Sequence, residues 1–362
     1  MKKIKKITFI STKIRGGGAE RVVAVLSSAL AELGYCVDLI LYERYDDEYP
    51  ISSKVNIHML PARKERNKVC YLINKFLKLR SIISKLQPDV LIPFLPYQVE
   101  HTYFASRGLS IPMVVTVRNN PEYDTPNEKM RKRRDRIAER VEGIFLQTDN
   151  QKEYFSDCIK KKCFVVPNPV DDSILNSTYS PRKVIKKLVS VGRLSLQKNQ
   201  KMLIKTIYEL RKQNYDVYLD IYGSGELESQ LKAQIEELNL EGIVNLCGRS
   251  NEIANTLKNY DMFVMTSDYE GMPNALMEAM GVGLPCIATN CPTGPDTLIG
   301  NNERGILVPV QDELALEEAI KFAICNTEYM VDIAIRAQQF INQHYAPKVI
   351  GGKLIDELER IL

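Results

Sequence analysis

The sequence has little with which to hold a metal or a disulfide framework. It carries three histidines, and its eight cysteines (Cys36, Cys70, Cys158, Cys163, Cys247, Cys286, Cys291 and Cys325) include no C-x-x-C pair. The common zinc and disulfide spacings are therefore excluded. Several of these thiols fall in apolar strand-like runs, which suits buried cysteines in a reducing cytosol. Neither sign of charge is in excess. Lys and Arg number 49 against 45 Asp and Glu, a formal net charge of +4. Such a balance gives no argument for nucleic acid, and any basic effect must be local. No run approaches the roughly 18 apolar residues of a membrane span. The start, Met1-Lys2-Lys3-Ile4-Lys5-Lys6-Ile7-Thr8-Phe9-Ile10-Ser11, is basic, but its apolar stretch is too short for a signal peptide and reads as a first strand. Internal repeats and low-complexity segments are also lacking.

What is present points to a soluble globular chain. Apolar residues make up 44% and charged residues 26% of 362, enough for two or three domains. Strand-like and helix-like segments alternate. Strands are expected at Ile7–Ile10, Val37–Tyr42, Val55–Met59, Asp89–Pro93, Met113–Val117 and Gly143–Thr148, with helices from Ala19 to Leu33 and from Tyr71 to Leu86. After Cys163-Phe164-Val165-Val166-Pro167-Asn168-Pro169 the pattern breaks, and a linker is expected near 170–185. A second alternation follows, from Leu188–Val191 to a helix at Ala315–Ile324, and the tail 331–362 reads as helical. Alternating βα units imply parallel sheets covered on both faces.

The densest chemistry lies at Thr266-Ser267-Asp268-Tyr269-Glu270-Gly271-Met272-Pro273-Asn274-Ala275-Leu276-Met277-Glu278-Ala279-Met280-Gly281, between two apolar strands. Ligands of such folds sit at the carboxyl ends of the strands. Pro273 suits the first helical turn, and the amides of residues 271–276 would face an anion such as a diphosphate. Glu278 is expected about two turns on, roughly 9 Å along the helix. Two carboxylates flanking an anion site suit a sugar nucleotide, which has hydroxyls at both ends and phosphates between. A plain reading makes Glu270 a cap and Glu278 a solvated helix face; a glycosidase acid/base pair is a further rival.

A second constellation, Val191-Gly192-Arg193-Leu194-Ser195-Leu196-Gln197-Lys198-Asn199, sets two cations at a strand end, where they can neutralise a leaving diphosphate or simply be solvated. Gly16-Gly17-Gly18 opens the first helix, and glycines permit close approach to a phosphate or form an ordinary turn. Arg249 follows a strand. His101 and the segment Val117-Arg118-Asn119-Asn120-Pro121 lie in the first half. His101 reads as an acceptor-cleft or structural histidine. Lys129-Met130-Arg131-Lys132-Arg133-Arg134-Asp135-Arg136 is the densest basic run, and Lys64–Lys85 mixes cations with apolar residues. Each reads as a solvated or core helix, or as a face for an anionic membrane surface.

The pattern Ser-x-x-Glu-Gly-Met-Pro-Asn-Ala-Leu-Met-Glu-Ala-Met-x-x-Gly-x-Pro resembles the E-x7-E motif of retaining glycosyltransferases of family 4, which have the GT-B fold. Gly192 to Asn199 is similar to that family's G-R-x-x-x-x-K segment. The resemblance implies two Rossmann-like domains facing across a cleft: 1–170 binding the acceptor, 171–335 binding the nucleotide sugar, and a terminal helix, 336–362, packing back on the first. It implies that Glu270 faces the transferred sugar, that Glu278 holds the ribose, and that Arg193 and Lys198 bind the diphosphate. Gly17, Gly18, Arg249, Gly271, Met272, Pro273 and Asn274 are implied donor contacts. Arg118 stands where many members carry a histidine and a polysaccharide-building subset an arginine, so it is an expected phosphate contact. The implied reaction is transfer of a sugar from a nucleotide diphosphate, expected to be UDP-linked, to a lipid-linked saccharide, with no metal or other cofactor, in the cytoplasm or at the inner face of the plasma membrane. A UDP-sugar epimerase of the same architecture, a glucan synthase and a non-enzymatic nucleotide-sugar binder are the alternatives.

Overall fold

Apolar strands and amphipathic helices fold as parallel βα units throughout the residues that the computed structural model describes, 3–60, 68–177, 182, 184–250 and 252–362. Contacts divide the chain into Met1–Pro169 with Pro347–Leu362, and Val170–Ala346.

The first unit runs β1 (Lys6–Ser11), α1 (Gly18–Glu32), β2 (Cys36–Leu41), β3 (Asn56–Met59), α2 (Lys68–Leu86), β4 (Val90–Pro93), α3 (Pro96–Ser106), β5 (Val114–Thr116), α4 (Glu128–Ala138), β6 (Gly143–Leu146), α5 (Asp157–Lys160) and β7 (Cys163–Val165). Strands β3-β2-β1-β4 form one parallel sheet and β5-β6-β7 another, joined by a bridge between Leu91 and Met113. Except in edge strand β3, whose residues are exposed or half-buried, the strand residues are almost all buried, as expected of strands covered on both faces. Residues 64–67 of the mixed basic and apolar segment lie outside the described residues.

The second unit runs α6 (Asp172–Leu175), β8 (Lys187–Val191), α7 (Gln200–Lys212), β9 (Tyr218–Tyr222), α8 (Glu228–Glu237), β10 (Val244–Leu246), α9 (Ile253–Leu257), β11 (Met262–Met265), α10 (Asn274–Val282), β12 (Cys286–Thr289), α11 (Pro295–Ile299), β13 (Ile306–Val308), α12 (Glu313–Cys325) and α13 (Thr327–His344). Its sheet has the order β10-β9-β8-β11-β12-β13, all parallel. The chain winds outward from β8 in one direction and from β11 in the other. Their shared border is the switch point at which such sheets bind ligands.

Two expectations need correcting. The stretch expected to be a linker begins with α6, which belongs to the second unit; residues 178–181 and 183 lie outside the described residues. The tail is two helices, because Pro347 cannot continue α13. Only α14 (Pro347–Ile361) joins the first unit, so residues 336–346 stay with the second. Helix α14 buries Ile350, Leu354, Ile355 and Leu358, each worth about 1.5–3 kcal/mol. Gly351 lets its backbone approach Leu30 and Leu33 at the end of α1.

Candidate functional site

The loops after β8 and β11 are laced together. Thr266 Oγ1 donates to the carbonyls of Lys198 (2.9 Å) and Asn199 (3.1 Å). The Asp268 amide donates to the Gln197 carbonyl at 2.8 Å, and Gln197 Nε2 returns a bond to the Tyr269 carbonyl at 2.8 Å. Asn199 adopts a left-handed backbone, φ 46°, which asparagine tolerates better than most residues. Its Nδ2 donates to Asp268 Oδ1 at 3.2 Å.

This lacing carries Lys198 to Glu270. Lys198 Nζ pairs with Glu270 Oε1, and the Ser267 hydroxyl donates to the same oxygen at 2.6 Å. The Glu270 side chain is only 7% exposed. Its carbonyl accepts from Thr293 Oγ1, and its amide donates to the Pro292 carbonyl. The residue is thus held from three segments, its carboxylate by two of them and its backbone by the third. Gly294, φ 100°, permits the last of these, because a Cβ there would stand 2.8 Å from the Gly271 carbonyl oxygen and 2.7 Å from Pro273 Cδ.

Helix α10 begins at Asn274, with Pro273 as its N-cap rather than in its first turn. Glu278 lies about one turn in, roughly 6 Å instead of 9 Å. It is buried, which removes the solvated-face reading. Gly271, Met272 and Pro273 are buried and Asn274 is half-buried. The helix start adds a partial positive charge beside the Lys198–Glu270 pair.

The other cations differ. Arg193 is exposed, and its side chain pairs with no carboxylate among the described residues. Arg249 is exposed at the end of β10, with Nε donating to Ser224 Oγ at 2.7 Å. The Gly223 turn packs against the loop after β8, and a Cβ at Gly223, φ 154°, would collide with the Gly192 carbonyl oxygen. Cys291 was missed by the sequence reading. Buried near the ion pair, its thiol is pushed well above the usual range, first by burial and then by the Glu270 charge, with Lys198 opposing.

The remaining predicted residues belong to the first unit. Gly17 caps α1, and the Glu20 carboxylate folds back against it, so this helix start already faces an acid. His101 lies half-buried on α3 with its ring centroid 3.9 Å from that of Tyr97. Burial, then the Lys75 charge, push its imidazole below the usual pKa against Glu100. Arg118 follows β5. Its Nη2 donates to Asn168 Oδ1, which also takes Gln147 Nε2 at 3.0 Å. Phe94 and Phe145 flank the guanidinium, with centroids 5.0 and 4.9 Å away. Arg118 Nε and Nη1 are sealed from solvent without a hydrogen-bond partner among the described residues. Burial pushes the group down to about 9. A buried guanidinium with spare N–H groups favours an added anion.

Among the described residues no cluster of three or more His, Cys, Asp or Glu could hold a metal, and no helix is long and apolar enough to cross a membrane.

Comparisons with known proteins agree along the chain. Residues 180–340 match the family described as Glycosyl transferases group 1, and 16–174 match Glycosyltransferase Family 4. A Campylobacter jejuni alpha-1,4-N-acetyl-D-galactosaminyltransferase, whose name gives a GalNAc-bearing diNAcBac-PP-undecaprenol as its substrate, is 25% identical over 92% of this chain and 93% of its own. The amylovoran biosynthesis glycosyltransferase AmsD of Erwinia amylovora is 27% identical over 94% and 96%. The crystal structure of Anabaena HepE with UDP and glucose superposes with a TM-score of 0.83 at 18% identity, covering 98% of this chain and 99% of that one.

Proposed function

The chain is a GT-B glycosyltransferase of the family-4-like type, a hexosyl- or N-acetylhexosaminyltransferase, and from that premise we propose that it moves a sugar, with retention, from a UDP-sugar to a lipid-linked saccharide of polysaccharide or glycan biosynthesis. The observation that carries this is the Glu270 carboxylate, buried and fixed by Ser267 and Lys198 just ahead of the α10 amides. The relative acting on a PP-undecaprenol-linked saccharide supports the acceptor class, and the UDP-bound HepE neighbour supports the nucleotide.

In this reading the donor diphosphate lies against the amides of 271, 272 and 274–276 and draws Arg193 and Lys198. Lys198 has three N–H groups, enough to keep Glu270 while reaching a phosphate oxygen. Glu278 accepts from the ribose hydroxyls, and Arg249 lies at the nucleotide end. The bond from the anomeric carbon to the diphosphate oxygen breaks, and the acceptor oxygen bonds on the same face. Its proton goes to the departing diphosphate. Glu270 orients the sugar and offsets its developing positive charge without forming a covalent bond. Charge leaving on the diphosphate is met by groups already in place. Arg118, with its spare N–H groups, is the proposed phosphate contact of the first unit, with Gly17, Gly18 and His101 lesser candidates.

A membrane surface is the proposed meeting place with a lipid-linked acceptor. Leu79 and Ile83 of α2 are buried, whereas Leu72, Ile73 and Leu77 are exposed, as is Phe104 of the adjoining α3. Exposed Lys78 and Arg107 accompany them, and each cation near an anionic lipid surface adds about 1 kcal/mol. The basic run on α4 is partly committed, since Lys132 pairs with Glu128, Arg133 with Glu100, and buried Arg134 with Asp124.

The test is incubation with a panel of UDP-sugars, with and without lipid-linked saccharide. Transfer that needs the acceptor, and is lost in Glu270→Ala while circular dichroism shows the variant still folded at the assay temperature, is expected. Sugar conversion without any acceptor would make the chain an epimerase, and full turnover by Glu270→Ala would remove that residue from the mechanism.

A further inference from the structure

One face of the second sheet is poorly covered at its β10–β9 edge, although Val189 and Phe263 further along the same face are buried. Helix α9 must carry the chain from edge strand β10 past β9 and β8 to β11, a span of three strand spacings or about 14 Å. Its five residues reach only about 7.5 Å. The side chains that alternate to this face at that edge are accordingly open. Tyr218 is 38% exposed, Asn245 is exposed, and Asp220 and Tyr222 are half-buried. They are not the apolar residues that a covering helix would require.

These residues build a cavity of about 260 Å³, lined in part by Lys187, Tyr218, Asp220, Asn245, Asn259 and Tyr260. Tyr260 reaches across to donate to Asp220 Oδ2 at 2.6 Å, and Asn245 Nδ2 donates to Asp220 Oδ1 at 2.7 Å. The two bonds fix the carboxylate, which has further lone pairs for a ligand. Arg211 lies over the Tyr218 ring, 5.5 Å from its centroid. Lys187 and Tyr218 begin their strands, so this cavity lies at the end opposite Gly192 and Glu270.

We propose that this cavity is a second, non-catalytic binding site for one neutral pyranose unit. Its volume lies just under the roughly 300 Å³ at which drug-sized pockets begin, so a single ring fits the scale. A partly exposed aromatic ring offers a surface for the apolar face of a sugar. A fixed carboxylate beside an amide offers the acceptor and donor that vicinal hydroxyls need. The carboxylate disfavours phosphate and other anions. That the sugar belongs to the glycan which this enzyme extends rests on the glycosyltransferase reading; the binding site itself does not.

Saturation-transfer NMR on the full chain, with methyl glycosides of glucose and N-acetylgalactosamine as probes and UDP in excess, tests it. A sugar signal that persists with UDP and falls at least fivefold in Tyr218→Ala, a surface substitution, is expected, with Asp220→Asn giving a similar loss. Absence of any signal, or one undiminished in both variants, overturns the site. Sugar binding kept while UDP fails to bind would sink the donor assignment and leave this site supported.

Discussion

Asp124 shows what a buried acid does to pH behaviour. It pairs with Arg134 below the Pro121 carbonyl, both side chains 4% exposed. Burial, outweighing Arg134, pushes its carboxyl up to about 6 from 3.8. Between about pH 4 and 6 the folded chain therefore holds a proton that the unfolded chain has released, and stability falls as pH rises through that window. Asp124→Asn should remove about 1–3 kcal/mol of that slope, read from urea unfolding at pH 4, 5, 6 and 7; an unaltered slope would refute the shift. At the site, Arg193→Ala should weaken UDP about tenfold by calorimetry, since its exposed guanidinium is committed to no carboxylate. Equal affinity would end its role. The placing of Glu278 on α10 was readable because helix geometry links neighbours in sequence, but its depth was not, because Pro273 caps the helix instead of starting it. The bond from Lys198 to Glu270 was not, because 72 residues separate them and only the pairing of β8 with β11 brings their loops together. The aromatic flanks of Arg118 were hidden for the same reason.

Among elements, strands were legible wherever apolar runs were short and bounded. Helix α3 was not, because its inner face carries Gln98 and Thr102 beside Val99 and Ala105, so no apolar stripe repeats. Gln98 Nε2 donates to Thr12 Oγ1 at 2.5 Å, which satisfies one polar group of that face, whereas Gln98 Oε1 and Thr102 Oγ1 are buried with no partner among the described residues. Turns give a sharper test. Gly223→Ala sets a methyl against the Gly192 carbonyl, whereas Gly242→Ala, φ 76°, meets nothing within 4 Å. The first should cost about 2–4 kcal/mol and lower Tm by roughly 5–10 °C, the second about 1–2 kcal/mol. Equal losses in thermal scans would show that the packing of the β8 and β9 turns is softer than drawn.

At the level of the molecule, both parallel units followed from the alternation of strands and helices, but the allocation of the tail did not. Nothing local in residues 331–362 says which unit each helix will join; the buried faces decide it. UDP at about 100 times its Kd should stabilise the native chain by about 2.7 kcal/mol, seen as a higher Tm that Arg193→Ala reduces. A Tm indifferent to UDP would count against the nucleotide site.

Because α14 lies against α1, one helix of this fold is covered in part by another that is made much later. At roughly 5–20 residues per second, the hydrophobic surface of α1 waits about 16–66 s for its partner to be translated. Newly made chains are therefore most vulnerable to chaperone capture and proteolysis through their amino-terminal half. A premature stop just after Ala346 would remove α14 from the first unit and leave the second unit whole.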